Sequence, residues 1–229
     1  MINAIAIDDE SPALDIIESF CSQVDLINLH KTFTQPKEAL KHINKFPVDL
    51  LFLDVNMPSL NGIDFYKKIK QNTPVIFTTA HLEYAVEGFN LNAVDYLLKP
   101  FSFERFKTAV TKAQDFINYQ QGKVNPQNFI FVRADYSLLK IDLGNILYIE
   151  SLDDYVKIFL DQQKTVVARM TMKNLLEKLP EKDFIRVHRS FIVPLRRIEA
   201  VRQKVVYIGD KEFPIGESYI ADFFGRFKE

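Results

Sequence analysis

One cysteine, Cys21, is all this chain of 229 residues contains. No internal disulfide can form, and the composition fits a reducing cytoplasm. Cys21 lies within "IIESFCSQV", on an apolar helix face, and reads as a core residue rather than a reactive thiol. The four histidines are scattered, and with a single cysteine they offer no spacing that suits a zinc site. No apolar run approaches the ~20 residues that cross a bilayer, and "MINAIAIDDE" lacks the basic start of an export signal, so no membrane partner is expected. Internal repeats and low-complexity tracts are missing too. What remains is a globular composition, 47% hydrophobic and 26% charged, long enough for two ordinary domains.

A net charge of −1 conceals an uneven distribution. Residues 1–122 carry 11 Lys and Arg against 15 Asp and Glu, whereas residues 123–229 carry 18 against 15. Segregated charge suggests two domains with different partners, although ordinary surfaces could divide this way by chance.

The first half alternates short apolar runs with helically spaced segments. The runs are 2–7, 26–33, 48–53, 74–79 and 94–98; the helical segments are 11–22, 36–46, 59–71, 81–89 and 102–119. Five strands alternating with five helices predict an α/β domain, a flavodoxin-like doubly wound five-stranded parallel sheet in the order 2-1-3-4-5. "QQGKVNPQN" then breaks the rhythm with Gly, Pro, Asn and Gln. Beyond it come short strands rich in aromatic and β-branched residues, from "FIFVRA" to "KVVYIG", with one convincing helix, "MKNLLEKLP" at 172–180. This half is expected to be mainly β. The expected division is 1–120, a linker at 121–127, and 128–229.

In an open parallel sheet, ligands sit beyond the carboxyl ends of the strands. Strand one delivers Asp8 and Asp9, strand three Asp54, strand four Thr79, and Lys99 follows strand five. Three carboxylates this close would repel one another, and a hard divalent cation such as Mg²⁺ resolves the conflict. Asp54 can attack a phosphoryl donor, Lys99 can pair with a phosphoryl oxygen and Thr79 can hydrogen-bond another. Each motif alone has a plain reading as a cap, a loop or a turn. Their joint placement on strands one, three, four and five points to a receptacle for phosphate.

"DDE", "LDVNMP", "TA" at 79–80 and "DYLLKP" resemble the receiver domain of two-component response regulators over roughly residues 1–120. The resemblance implies phosphorylation of Asp54 by a sensor histidine kinase. It implies Mg²⁺ held by Asp8, Asp9, Asp54 and the backbone carbonyl of Asn56, and Thr79 and Tyr96 as a switch pair. It also implies a cis bond between Lys99 and Pro100, mildly disfavoured before proline. Phosphorylation adds roughly −1.5 to −2 charge at one point. Thr79 would move toward it, Tyr96 would rotate into the vacated space, and the face at about 82–119 would change shape. Tyr96 also has a plainer reading, as an aromatic at the core's edge.

"LYIESLDDYVKI", "ARMTMKNLLEKLP", "FIRVHRSFIVP" and "FPIGESY" resemble the LytTR-type DNA-binding domain over about 128–226. Carried over by position, the resemblance implies that Tyr155, Arg189 and Ser218 reach base edges of double-stranded DNA. Arg189 is the strongest of them, since a guanidinium can engage guanine O6 and N7 together. Lys173, Arg202 and Lys204 are candidate phosphate contacts, although exposed basic residues are usually only solvated surface. His188 reads as structural. Pro194 stands where this family usually has Asn, so a local difference in the following turn is expected. Two rival readings stand against this one. Aspartate-nucleophile phosphatases need a second acid two residues after the nucleophile, and Asn56 stands there, so the chain is not expected to be an enzyme. A β domain that binds protein is disfavoured by the basic excess and "HRS". The expected whole is a cytoplasmic regulator that forms a homodimer on phosphorylation.

Overall fold

The structure, a computed structural model, describes residues 1–58, 60–81, 93–123, 128–134 and 137–227. The chain divides into two compact units, residues 1–124 with 136–138 and residues 125–135 with 139–229. In the first, β1 (Ile2–Ile7), β2 (Ile27–Phe33), β3 (Leu50–Asp54), β4 (Val75–Thr79) and β5 (Ala93–Leu98) form a parallel sheet in the order β2-β1-β3-β4-β5. Every residue of β3 and β4 is buried, as a parallel sheet covered on both faces requires.

Helices α1 (Ser11–Cys21), α2 (Pro36–Ile43), α3 (Gly62–Lys67) and α4 (Phe103–Gln120) accompany this sheet. Proline at the first turn starts α1 and α2, while the Asn61 and Ser102 side chains cap α3 and α4. The expected helix over 59–71 is shorter: Lys68 and Ile69 already turn back onto Phe65 and Tyr66 with three-residue bonds. The expected helix over 81–89 lies, from residue 82 onward, outside the described residues. Cys21 is buried, and burial, helped by the nearby Glu18 charge, pushes its thiol up to about 12.

The second unit is built on an antiparallel sheet in the order β10-β9-β8-β12-β11. Its strands are β8 (Ile146–Leu152), β9 (Tyr155–Leu160), β10 (Val166–Ala168), β11 (Phe184–His188) and β12 (Phe191–Pro194). One face packs on the pair β6 (Phe129–Ala134) and β7 (Ser137–Asp142) and on α5 (Met172–Leu176). The other face packs on a three-stranded sheet, β13 (Ala200–Arg202), β14 (Val205–Ile208) and β15 (Lys211–Pro214), and on α6 (Ile220–Arg226). Alternation sorts the side chains: Phe184 and Ile192 enter the first core, Ile185 and Val193 the second.

Two helical expectations need correction here. The helix expected over 172–180 ends at Leu176, because Pro180 disfavours helical backbone at the preceding residue and the chain tightens into three-residue turns. The expected single helix is joined by α6, which buries Phe223 against the second core. Pro194 ends β12 opposite Phe184, and the Leu195 N–H resumes pairing by donating to the Asp183 carbonyl at 2.8 Å.

Candidate functional site

At the carboxyl end of the parallel sheet, β1 runs into Asp8, β3 ends on Asp54, and Lys99 follows β5. Asp8 and Asp54 are buried side by side, and the Lys99 ammonium donates to Asp8 Oδ2 and Asp54 Oδ1, each at 2.7 Å. The remaining oxygens meet backbone donors. Glu10 N–H reaches Asp8 Oδ1 at 3.1 Å, and Asn56 N–H reaches Asp54 Oδ2 at 2.6 Å. Asp9 stands exposed beside them, and one carboxylate oxygen from each of Asp8, Asp9 and Asp54 lies within 4.8 Å of the other two. The peptide bond between Lys99 and Pro100 is cis.

Electrostatics here are unbalanced. Burial pushes the Asp8 carboxyl above the usual carboxylate range and the Asp54 charge adds to it, against the pull of Lys99 and of the Glu10 N–H. Burial also works against the Lys99 ammonium, but its bonds to Asp54 and Asp8 outweigh burial and hold its pKa above the ordinary lysine value. One ammonium is thus too little for three carboxylates. Clustered hard oxygen donors with charge left over fit a hard divalent cation such as Mg²⁺.

Thr79, the last residue of β4, is buried, and its hydroxyl accepts from the His81 N–H at 3.1 Å. Tyr96 lies on β5 with its hydroxyl buried and its ring stacked on Phe77 at 5.3 Å. Two residues that sequence reasoning passed over bear on this rim. Arg105 of α4 grips Asp95 with both terminal nitrogens at 2.9 Å and donates to the Tyr96 carbonyl at 2.8 Å, fastening β5 to that helix. Gly62 sits so close to the end of β3 that a Cβ there would lie 2.0 Å from the Asp54 carbonyl oxygen. Its signal was the Asn61–Gly62 pair, which the helical pattern over 59–71 concealed.

In the second unit, three two-residue hairpin loops gather at one end. The loop at 153–154 joins the paired Leu152 and Tyr155, 189–190 joins His188 and Phe191, and 203–204 joins Arg202 and Val205. Hydrogen bonds tie them together. Ser151 N–H donates to the Ser190 carbonyl at 2.9 Å, Gly216 N–H to the Val187 carbonyl at 2.8 Å, and Ile215 N–H to the Lys204 carbonyl at 2.8 Å. Tyr155, Arg189, Arg202, Lys204 and Ser218 are all exposed at this end. Lys173 is exposed at the start of α5, five residues after β10 ends with Ala168 paired to Val156. Asp153, Gln203 and Lys204 have positive φ, the backbone that two-residue loops between twisted strands demand. His188 accepts the Ser190 N–H on Nδ1 and packs near Phe191, a structural position.

Comparison with known proteins gives two family matches. Residues 4–111 match the response regulator receiver domain, and residues 136–228 match the LytTr DNA-binding domain. The transcriptional regulatory protein LytR of Staphylococcus aureus (strain bovine RF122 / ET3-1) is 31% identical over 244 residues, covering 97% of each chain. The chain is a response regulator of the LytTR family.

The sensory transduction protein LytT of Oceanobacillus iheyensis is 30% identical to this response regulator over 205 residues, 87% of this chain and 83% of that one. Among solved structures, the response regulatory domain of protein mrkE from Klebsiella pneumoniae is 30% identical, with a TM-score of 0.49, over 52% of this chain and all of its own. The family comprises transcriptional regulators, not enzymes. Among the described residues, no helix is long and apolar enough to cross a membrane.

Proposed function

We propose that Asp54 takes a phosphoryl group from a sensor histidine kinase and that the resulting change governs binding of promoter DNA by the second unit. The observation that carries this reading is the meeting of Asp8, Asp54 and Lys99 at the sheet's carboxyl end. In the reaction, a carboxylate oxygen of Asp54 bonds to phosphorus as the phosphorus–nitrogen bond of a phosphohistidine breaks, and the freed imidazole takes up a proton. Lys99 follows the negative charge from the carboxylate to the phosphoryl oxygens. Thr79 redirects its hydroxyl donation from the His81 carbonyl to the new acceptor, and Tyr96 turns into the space it leaves. Asp8, Asp9, Asp54 and the Asn56 carbonyl would hold Mg²⁺, which when bound supplies positive charge beside the transferring group.

The carboxylates differ in readiness. Both oxygens of Asp8 are engaged, whereas Asp9 stands exposed and, as the next residue along the chain, points a different way. Asp9→Ala should therefore weaken Mg²⁺ binding more than Asp8→Asn does. Superimposable metal titration curves for the two variants would count against this arrangement.

Tyr155, Arg189 and Ser218 are assigned to base edges, and Lys173, Arg202 and Lys204 to phosphates. The division is receiver 1–120, linker 121–127 and DNA-binding domain 128–229, with the protein acting in the cytoplasm. A few exposed side chains on small tips make one copy a weak binder. Phosphorylation is therefore assigned the role of pairing two copies through the face at about 82–119, which couples two weak contacts. The homodimer should bind half-sites spaced by about one or two turns of duplex, ~10 or ~21 bp. Arg189→Ala should cost roughly 1–3 kcal/mol per half-site and relax one base pair, whereas Lys204→Ala should weaken all sequences alike. Sedimentation and footprinting with acetyl phosphate and Mg²⁺ test the scheme. A monomer with unchanged DNA affinity in both states would defeat the pairing step, and absence of footprints in both would defeat the DNA assignment.

A further inference from the structure

The turn that carries Arg189 is immobilised from both sides. Its carbonyl accepts from Arg186 Nη2 at 2.7 Å, and the other end of the same peptide, the Ser190 N–H, donates to His188 Nδ1 at 3.2 Å. Arg186 Nε also donates to the His188 carbonyl at 3.2 Å, so one guanidinium spans two successive carbonyls. The guanidinium carbon lies 5.6 Å from the centre of the Tyr219 ring. Tyr219 closes the short 3-10 turn Glu217–Tyr219 that presents Ser218. A register shift between Arg186 and His188 accompanies a second link, in which the Val187 carbonyl accepts the Gly216 N–H at 2.8 Å. Arg186 therefore touches both the Arg189 turn and the Ser218 turn while sitting half-buried in the strand behind them.

We infer that Arg186 is a positioning residue for sequence recognition, locking the Arg189 and Ser218 turns in one fixed spacing so that they address the duplex as a unit. This rests on the DNA-binding reading given above. The guanidinium suits the task because its donors lie in a rigid plane and its face packs on an aromatic ring. A lysine keeps the charge but loses the planar fork, leaving one carbonyl unanswered and the ring uncovered.

The test uses the full chain with acetyl phosphate and Mg²⁺. Wild type first selects a preferred duplex from a random-sequence pool. Affinity is then measured on that duplex and on a scrambled one, for wild type, Arg186→Lys, Tyr219→Phe and Tyr219→Leu, with circular dichroism as the check on folding. Arg186→Lys should lower the ratio of selected to scrambled affinity about tenfold, the size of one mispaired base contact. The loss should fall jointly at the base pairs read by Arg189 and Ser218, with scrambled binding and salt dependence unchanged. Tyr219→Phe keeps the ring and should match wild type, and Tyr219→Leu should lose preference at the Ser218 position. Should Arg186→Lys fail to fold, the two Tyr219 variants decide alone.

Equal weakening on both duplexes with a flatter salt dependence would make Arg186 a phosphate contact and overturn the inference. So would unchanged preference in the folded variants. Failure of the wild type to select any duplex would instead overturn the DNA-binding reading, and this inference with it.

Discussion

Asp54→Asn is expected to abolish the gain of about 80 Da, one phosphoryl group, that acetyl phosphate and Mg²⁺ should give the wild-type chain. The substitution keeps the shape of the side chain, and its remaining oxygen can still accept from Lys99 or from the Asn56 N–H. It removes the one thing phosphoryl transfer needs, a carboxylate oxygen able to form the acyl phosphate. The variant loses a like charge beside buried Asp8 but also one half of the Lys99 ion pair, so circular dichroism should accompany the labelling to show that it is folded. Intact-mass spectrometry reads the outcome directly. Full labelling of the variant would move the acceptor elsewhere, with Asp9 the neighbour to examine first.

Gly62→Ala should be among the most damaging single-methyl changes in the receiver. The added carbon would lie 2.0 Å from the Asp54 carbonyl oxygen, 2.9 Å from its carbon and 3.0 Å from Val55 Cα. All three are backbone atoms, so no flexible side chain can swing away. The Gly62 N–H is also committed to the Val55 carbonyl at 2.8 Å, which holds α3 against the strand end. Relief requires moving either the start of α3 or the end of β3, and the second displaces Asp54, the proposed phosphoacceptor. Overpacking usually costs 1–3 kcal/mol, and with only backbone to yield a loss of about 3 kcal/mol is expected. Urea unfolding measures it, and the rate of acetyl phosphate labelling should fall in parallel. Gly225→Ala in α6, where the new methyl meets nothing within 4 Å, serves as a control that should be neutral or mildly stabilising. Stability of Gly62→Ala within about 0.5 kcal/mol of wild type would refute the steric argument.

The receiver was legible because its chemistry obeys a rule of place. Asp8 and Lys99 are 91 residues apart in the chain, yet strand ends in a parallel sheet share a rim, so the cluster could be assembled from strand order alone. Most strands of the second unit were legible from alternation, but α6 and β15 were not. "IADFFGR" is seven residues with a glycine near its end, and "KEFP" is four residues closed by proline, too short for either periodicity to register. The loop at Gln203–Lys204 carries none of the Asn and Gly that usually mark positive φ; pairing of β13 with β14 imposes it. Arg186 and Arg105 escaped for a shared reason. Their partners include main-chain carbonyls, which every residue has, so no side-chain pattern announces them.

If the three hairpin tips of the second unit carry the DNA contacts as proposed, their two-residue length constrains how this regulator can change its targets over evolutionary time. A residue added to a two-residue loop must be absorbed as a bulge at the tip or else shift the strands, and a shift by one turns core side chains toward solvent. Insertions at the tips are therefore the costlier change, while side-chain replacements at exposed Tyr155 or Arg189 leave both hydrophobic cores untouched. Divergence between paralogues should accordingly appear as exchanged letters at fixed positions rather than as loops of new length. The reading head behaves as movable type in a rigid frame.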